Sequence, residues 1–142
     1  MINLKKIIIP IIIIVICSIV FVITMSITPL KRYAINKDYI EQNYEIDLYQ
    51  EDRNNSLNLY GEAKYIGNDT IIEEPTINLE ITCNYVYFED DTEKIDTIKN
   101  KIILNKNGKM HFGKTSIQLN HTEASDYRCL YKISNVTGFY AK

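Results

Sequence analysis

Residues 76–87 read TINLEITCNYVY and form the clearest alternating pattern in the chain. Its apolar or aromatic side chains fall at every second position: Ile77, Leu79, Ile81, Cys83, Tyr85 and Tyr87. Polar residues occupy most of the positions between them. Since successive side chains of a strand point to opposite faces, the alternation predicts a β-strand with one face in a core.

Weaker alternation of the same kind lies on both sides of this strand. The apolar positions that mark it are 57, 59, 61, 63 and 65 upstream, and 98, 102, 104, 110, 112, 117, 119, 127, 129, 131 and 133 downstream. Asn107-Gly108 predicts a hairpin with a type I′ turn, because both central residues of that turn need positive φ. Six to seven short strands predict an all-β, antiparallel, immunoglobulin-like β-sandwich over residues 53–142.

A second stretch, residues 7–27, reads IIIPIIIIVICSIVFVITMSI and holds no charged residue. As a helix it would span about 30 Å, the thickness of the hydrocarbon core of a bilayer. It predicts one N-terminal transmembrane helix, with the lipid bilayer as its partner. The predicted organisation is a cytoplasmic head at 1–6, an anchor at 7–30, a juxtamembrane linker at 31–52 and the extracytoplasmic sandwich at 53–142.

The orientation of the anchor rests on its short N-terminal head. Lys5 and Lys6 precede the apolar run, and Lys31 and Arg32 follow it, so the positive-inside rule nearly ties. A six-residue head before a folded domain is typical of a signal anchor, which places the domain outside the cell membrane.

Two alternatives to an uncleaved anchor stay open. The run is a cleaved signal peptide, or Cys17 is lipidated, although Ile16 is larger than the residue that usually precedes a lipid-bearing cysteine.

The charge of the folded part restricts its partners. Four of the sixteen Lys/Arg residues lie at or before Arg32, so twelve remain against all eighteen Asp/Glu residues, a net charge of −6 from Tyr33 onward. Phosphate backbones attract basic surfaces. The sequence therefore predicts no nucleic-acid partner, and leaves an unknown protein or cell-envelope partner.

Two segments resemble a known family. LYGEAKYIGN at 59–68, followed by PTINLEI at 75–81, is similar to the FxLYD domain family over roughly residues 57–137. Tyr87-Phe88-Glu89-Asp90 falls where that family has an aromatic-acidic strand end, while Tyr65 and Asp91-Thr92 depart from its pattern. The resemblance implies an immunoglobulin-like sandwich on an anchored or secreted prokaryotic protein. Tyr127-Arg128-Cys129 is also similar to the Y-x-C corner of immunoglobulin domains.

Cys83 and Cys129 both fall on predicted inward faces, 46 residues apart. Outside the cell this permits a structural disulfide across the sandwich, worth roughly 4 kcal/mol in the chain-entropy model. The alternative is a pair of buried free thiols that pack as small apolar residues.

Other charged groups are weaker candidates for a binding site. The acidic segment 89–93 lacks the spaced ligand order of a calcium loop and is predicted to be a solvated turn. Lys99, Lys101, Lys106, Lys109 and Lys114 lie in a stretch without acids. They are suited either to contact anionic lipids or wall polymers, or to protect a strand edge from aggregation.

The histidines, His111 and His121, belong to no hydrolase or metal-binding motif. We therefore predict no enzyme, no catalytic residue, no metal and no cofactor. The favoured function is a membrane-anchored interaction or envelope-structural module. A pilin-like or secretion-apparatus subunit is the alternative, but the run has no prepilin cleavage site and no early Glu.

Overall fold

The computed structural model describes residues 4–26, 30–53, 55–121 and 123–142, with the side chains of the first helix described at 9–23. The chain divides into two units, residues 1–31 and Arg32–Lys142. Residues 1–3 of the predicted head and 27–29 of the predicted anchor lie outside the described residues.

The first unit contains α1 (Leu4–Ser26). The large apolar side chains described on it, at positions 9, 11–16 and 19–23, are each at least half exposed. The Ser18 hydroxyl donates a hydrogen bond to the Ile14 carbonyl one turn earlier, at 2.8 Å. Among the helices as far as they are described, none combines the length and apolar character needed to cross a membrane.

The second unit, called the body below, contains seven strands and one short helix, so its fold is all-β. In chain order they are β1 (Arg32–Ala34), α2 (Lys37–Asn43), β2 (Tyr44–Arg53), β3 (Ser56–Tyr65), β4 (Thr70–Glu89), β5 (Thr92–Asn107), β6 (Met110–Gln118) and β7 (Ser125–Ala141). The hydrogen-bonded order is β1-β7-β4-β5-β6-β3-β2, and every pairing is antiparallel.

The strands form two packed layers that meet at β5. Layer A contains β1, β7, β4 and most of β5; layer B contains β6, β3 and β2, joined by the end of β5 at residues 105–107. The alternating strand of the sequence is β4, and its buried residues are Ile77, Leu79, Ile81, Cys83 and Tyr85. They pack with buried Leu57, Leu59 and Ala63 of β3, and the predicted core-facing strand is confirmed. The body is a β-sandwich-like fold.

Two glycines allow the layers to approach each other closely. A Cβ added to Gly113 in β6 would lie 2.3 Å from the Ile103 carbonyl oxygen of β5. A Cβ on Gly61 in β3 would lie 2.8 Å from Cδ2 of Leu104. The missing side chains therefore leave room for the crossing of β5 from one layer to the other.

The type I′ turn predicted at Asn107-Gly108 is found instead in the β4–β5 hairpin, for which the sequence suggested no turn type. Asn107 pairs with Met110, so Gly108 and Lys109 are the central residues, and of these only Gly108 has positive φ, at 62°. The predicted hairpin is present, but its glycine at the first central position fits a type II′ turn. The β4–β5 turn has positive φ at both Asp90 and Asp91, 52° and 55°, as a type I′ turn requires.

The segment predicted as a linker is part of the body from Arg32 onward. Residues 32–53 form β1, α2 and β2 instead of a spacer. Tyr39 and Ile40 of α2 are buried, and Ile40 is fully enclosed. The Asn36 side chain caps α2 by accepting a hydrogen bond from the Tyr39 amide at 2.9 Å. The predicted boundary at 52/53 is wrong, because α2 contributes buried residues to the core of the body. The sequence did not reveal this, since seven residues are too few to show a helical period.

At the start of β6 the residues that face the core are not the two apolar ones marked in the sequence, whereas Ile117, which was also marked, is buried. Met110 and Phe112 are half-buried, and the Phe112 ring stacks on Tyr60 at a centroid distance of 6.4 Å. The buried positions are His111 and Gly113, then Ile117. The hairpin register with β5 decides which face is buried, and it overrides the hydrophobicity of two residues.

Candidate functional site

Cys83 and Cys129 are joined by a disulfide with an S–S distance of 2.05 Å. They are register partners on β4 and β7, which are neighbouring strands of layer A. The bond therefore links two strands within one layer, whereas the sequence suggested a bond across the sandwich. The prediction that both cysteines face inward fits a bond within one layer and a bond between layers equally well. The sequence does not show that β7 pairs with β4, which is what decides between them.

The acidic segment 89–93 is the type I′ hairpin between β4 and β5. Glu89 forms an ion pair with Lys94, which lies across from Tyr87 in the adjoining strand. The hydrogen bond from the Lys94 ammonium group, together with its positive charge, lowers the pKa of the Glu89 carboxyl. Within the described ranges, no group of three or more His, Cys, Asp or Glu side chains is arranged to hold a metal ion.

The lysine stretch of the sequence is divided between the two layers. Lys99 and Lys101 lie on the outer, exposed face of β5 in layer A, while Lys114 lies on the exposed face of β6 in layer B. Lys106 forms an ion pair with Glu74, with 2.9 Å between Nζ and Oε1. The five lysines therefore do not make one surface.

A different set of cations comes together on layer A. Arg128 and Lys132 of β7 lie on the same outer face as Lys99 and Lys101, two strands away across β4. We call these four residues the basic face. The sequence reasoning missed Arg128 and Lys132, although positions 128, 130 and 132 alternate with the inward residues of β7. That alternation indicated that Arg128 and Lys132 share one face of β7. Only the order of the strands shows that this face continues across β4 to Lys99 and Lys101 of β5.

His121 lies in an aromatic and acidic cluster at one end of the body. Its ring stacks on Tyr87, with centroids 3.6 Å apart and an interplanar angle of 8°, and its Nε2 is 3.7 Å from Oδ2 of Asp96. Asp96 also accepts a 2.8 Å hydrogen bond from the Tyr85 hydroxyl. Burial, followed by this bond and the charge of Asp96, raises the pKa of Tyr85 to about 12. The partners of His121 are thus Tyr87 and Asp96, and this arrangement is that of a packed structural cluster.

His111 lies in the core with a second buried polar group, Tyr44. Its side chain is 1% exposed. Among the described residues, neither ring nitrogen has a partner in good hydrogen-bond geometry, and the same holds for the Tyr44 hydroxyl. Nε2 of His111 is 3.5 Å from Oε2 of Glu74, beyond a good hydrogen bond. Burial lowers the pKa of His111, with Glu74 opposing the effect and Lys106 adding to it. His111 is therefore a titratable side chain in the core and is not exposed to bind a ligand from solvent.

These observations define a class of protein: a β-sandwich-like body with one basic outer face, preceded by a separate helix. No family model matches the chain, and no curated protein sequence matches it. Among solved structures it is similar to the sporulation control protein Spo0M from Bacillus subtilis, with 12% identity over 64% of this chain and a TM-score of 0.30. The chain spans about half of that protein's length, 48%.

Proposed function

We propose that the chain is a single-pass membrane protein whose body serves as an extracytoplasmic interaction or envelope-structural module. The observation that carries the proposal is the exposure of α1, on which twelve large apolar side chains are each at least half exposed. Each such residue favours the bilayer centre by about 0.3–0.6 kcal/mol, so together they favour lipid by several kcal/mol. The uncharged sequence run at 7–27 extends beyond these twelve positions and supplies the length.

The proposed role of the body is binding, and its charge and chemistry support that choice. The histidines of the body pack against tyrosines and carboxylates, and no nucleophile is among their hydrogen-bond partners in residues 30–53, 55–121 and 123–142. The net charge of −6 from Tyr33 onward disfavours nucleic acid. The proposed family relationship is to immunoglobulin-like sandwiches of the FxLYD type, which occur on anchored or secreted prokaryotic proteins.

Carbonate extraction of membranes from cells that express the full chain tests the anchor. We expect the protein to stay in the membrane pellet. Replacing Ile14 and Val20 by lysine should release it, because each lysine at a helix centre costs about 2.5–3.5 kcal/mol. The matched control replaces Ile66 and Ile72 of the body, both exposed, by lysine and should leave the protein in the pellet. Extraction of the unmodified chain by carbonate would overturn the proposal.

Protease added outside intact cells tests the orientation. We expect loss of the body and protection of an N-terminal fragment, since the short head is proposed to lie inside. Intact mass of the purified chain distinguishes the remaining forms: a mass that begins at Met1 supports the anchor, loss of residues before the body indicates a cleaved signal, and an added acyl mass indicates lipidation. Full protection of the body would reverse the orientation.

A further inference from the structure

We propose that the basic face of layer A docks on an anionic lipid surface, that of the membrane which α1 is proposed to enter. The inference rests on the proposed function, because it names the partner of the proposed interaction module. It is carried by three observations on the outer face of β4, β5 and β7: the grouping of cations, the near absence of acids among them, and exposed apolar side chains in their midst.

Strand register brings the cations together. Lys101 and Lys132 lie on either side of Glu80, Lys99 and Leu130 on either side of Thr82, and Thr97 and Arg128 on either side of Asn84. Neighbouring strands are about 4.8 Å apart, and alternate residues of one strand about 6.7 Å apart. The four cations thus lie within a patch of roughly 10 by 14 Å.

The patch has a charge opposite to that of the whole body. Glu80 is the one acidic side chain among these nine positions, which leaves a local charge of +3 in a body that carries −6 from Tyr33 onward. In the described part of the chain, none of the four cations belongs to an ion pair within 4.0 Å. On the outer face of layer B, Glu45, Asp47, Glu51 and Glu62 are offset by Arg53, Lys64 and Lys114, which leaves a local charge of −1. An anionic surface therefore attracts the basic face of layer A more strongly than it attracts layer B, which favours one orientation.

Apolar side chains project from the same face. Leu130 is 75% exposed between Arg128 and Lys132, and Ile103 and Ile95 at the two ends of the patch are 54% and 69% exposed. Cations that surround protruding aliphatic groups fit the boundary between anionic headgroups and acyl chains. A soluble polyanion would use the charges but would gain nothing from these three side chains, so the lipid surface is the favoured occupant.

The test uses the full chain in lipid vesicles, with a fluorescent label on a single cysteine. Cys17→Ser removes the free thiol, Thr97→Cys places the label on the basic face, and Ser116→Cys places it on the exposed face of layer B as the control. Vesicles contain phosphatidylcholine alone or with one-third phosphatidylglycerol, and both contain a headgroup-linked quencher. We expect quenching at position 97 in the anionic vesicles only, relieved as salt rises from 0.05 to 0.5 M.

Charge substitution makes the test quantitative. Each cation near an anionic surface contributes about a fivefold change in binding, so Lys99→Gln with Lys101→Gln should weaken docking about 25-fold. Lys109→Gln with Lys114→Gln makes the same charge change elsewhere and should leave docking unchanged. Equal quenching at positions 97 and 116, or equal quenching in both vesicle types, would overturn the inference. Retention on a soluble polyanion without lipid docking would also overturn it.

Failure of the anchor and failure of this inference are distinguishable. Vesicle flotation in phosphatidylcholine alone reports whether α1 holds the protein in lipid, without any contribution from charge. A protein that floats but shows no difference in quenching contradicts the docking surface only. A protein that does not float in phosphatidylcholine contradicts the anchor, and salt-sensitive flotation in anionic vesicles then still supports the basic face.

Discussion

Cys83 and Cys129 lie directly opposite each other on β4 and β7, with their Cα atoms 4.0 Å apart. This pairing fixes the register of the two strands that form the centre of layer A. Cys83 is buried in the core, while Cys129 lies near the end of the sheet and is half-buried. The disulfide therefore closes a 46-residue segment that includes β5 and β6.

Replacing both cysteines by serine should lower the free energy of unfolding by about 2–4 kcal/mol, because the unfolded chain regains the freedom that a closed 46-residue loop lacks. Urea unfolding of the body at residues 32–142 measures the loss. Cys17→Ser in the full chain is the control for alkylation and should abolish labelling of the native protein. Two further thiols that are alkylated without reductant would contradict the disulfide.

The body should fold only when its first strand and helix are included. A fragment of residues 32–142 is expected to give a cooperative unfolding transition, whereas residues 53–142 should not, because the latter lacks β1, α2 and β2. Ile40→Ala should cost about 2–5 kcal/mol, since the side chain is fully buried. Glu41→Ala, on the exposed side of α2, serves as the control. Cooperative folding of 53–142 would restore the predicted domain boundary.

Gly113→Ala should destabilise the body by about 3 kcal/mol or more, because its Cβ would lie 2.3 Å from a backbone oxygen that cannot move without shifting β5. Gly61→Ala is the matched comparison. There the one short contact of the Cβ is with the end of the Leu104 side chain, at 2.8 Å, and not with backbone, so a smaller loss of about 1–2 kcal/mol is expected. Equal unfolding midpoints for the two variants in urea would contradict the close crossing of β5 and β6.

His111 should make stability fall on mild acidification. Burial lowers its pKa in the folded state below the unfolded value of about 6.5, so the unfolded chain takes up the proton first. The contribution is complete above pH 6.5 and is lost as pH falls toward the lowered pKa, at up to about 1.4 kcal/mol per pH unit. Urea unfolding at pH 7.5 and pH 5 measures it.

His111→Gln should flatten this dependence between pH 7.5 and 5, because the glutamine side chain does not titrate. The group removed is the imidazole that lies in the core, 1% exposed. An unchanged slope in the His111 variant would show that another group is responsible.

Tyr85→Phe removes the hydrogen bond from the buried hydroxyl to Asp96 and should cost about 1–3 kcal/mol, as expected for a bond to a charged acceptor. Absorbance titration at alkaline pH provides a second readout: two tyrosines, Tyr85 and Tyr127, have their pKa raised to about 12, and the variant should lose one of these two from the curve. Tyr60→Phe, which removes a 3.1 Å bond to Glu51, is the control with a more exposed ring. An equal loss of unfolding free energy in the two variants would contradict the stronger contribution of the buried bond.

Strands with a long, clean period of two could be predicted from the sequence, and those with mixed signals could not. Five alternate residues of β4 are buried as expected, because twelve residues of alternation leave no other face for the core. In β6, two apolar residues suggested the wrong face, since hairpin register with β5 places His111 inward. For α2, seven residues were too few to show a helical period, and its core role depends on contacts with Tyr140 and Tyr65.

The charge-free apolar run and the all-β character of the body can be derived from the order of the residues, because hydrophobic periodicity is a property of neighbouring residues. Which strands lie side by side depends on the three-dimensional fold. It placed Cys83 beside Cys129 within one layer, divided the lysine stretch between two faces, and brought Arg128 and Lys132 to Lys99 and Lys101. The physical reason is that pairing between strands distant in sequence depends on how the whole core is buried, and no local pattern records that choice.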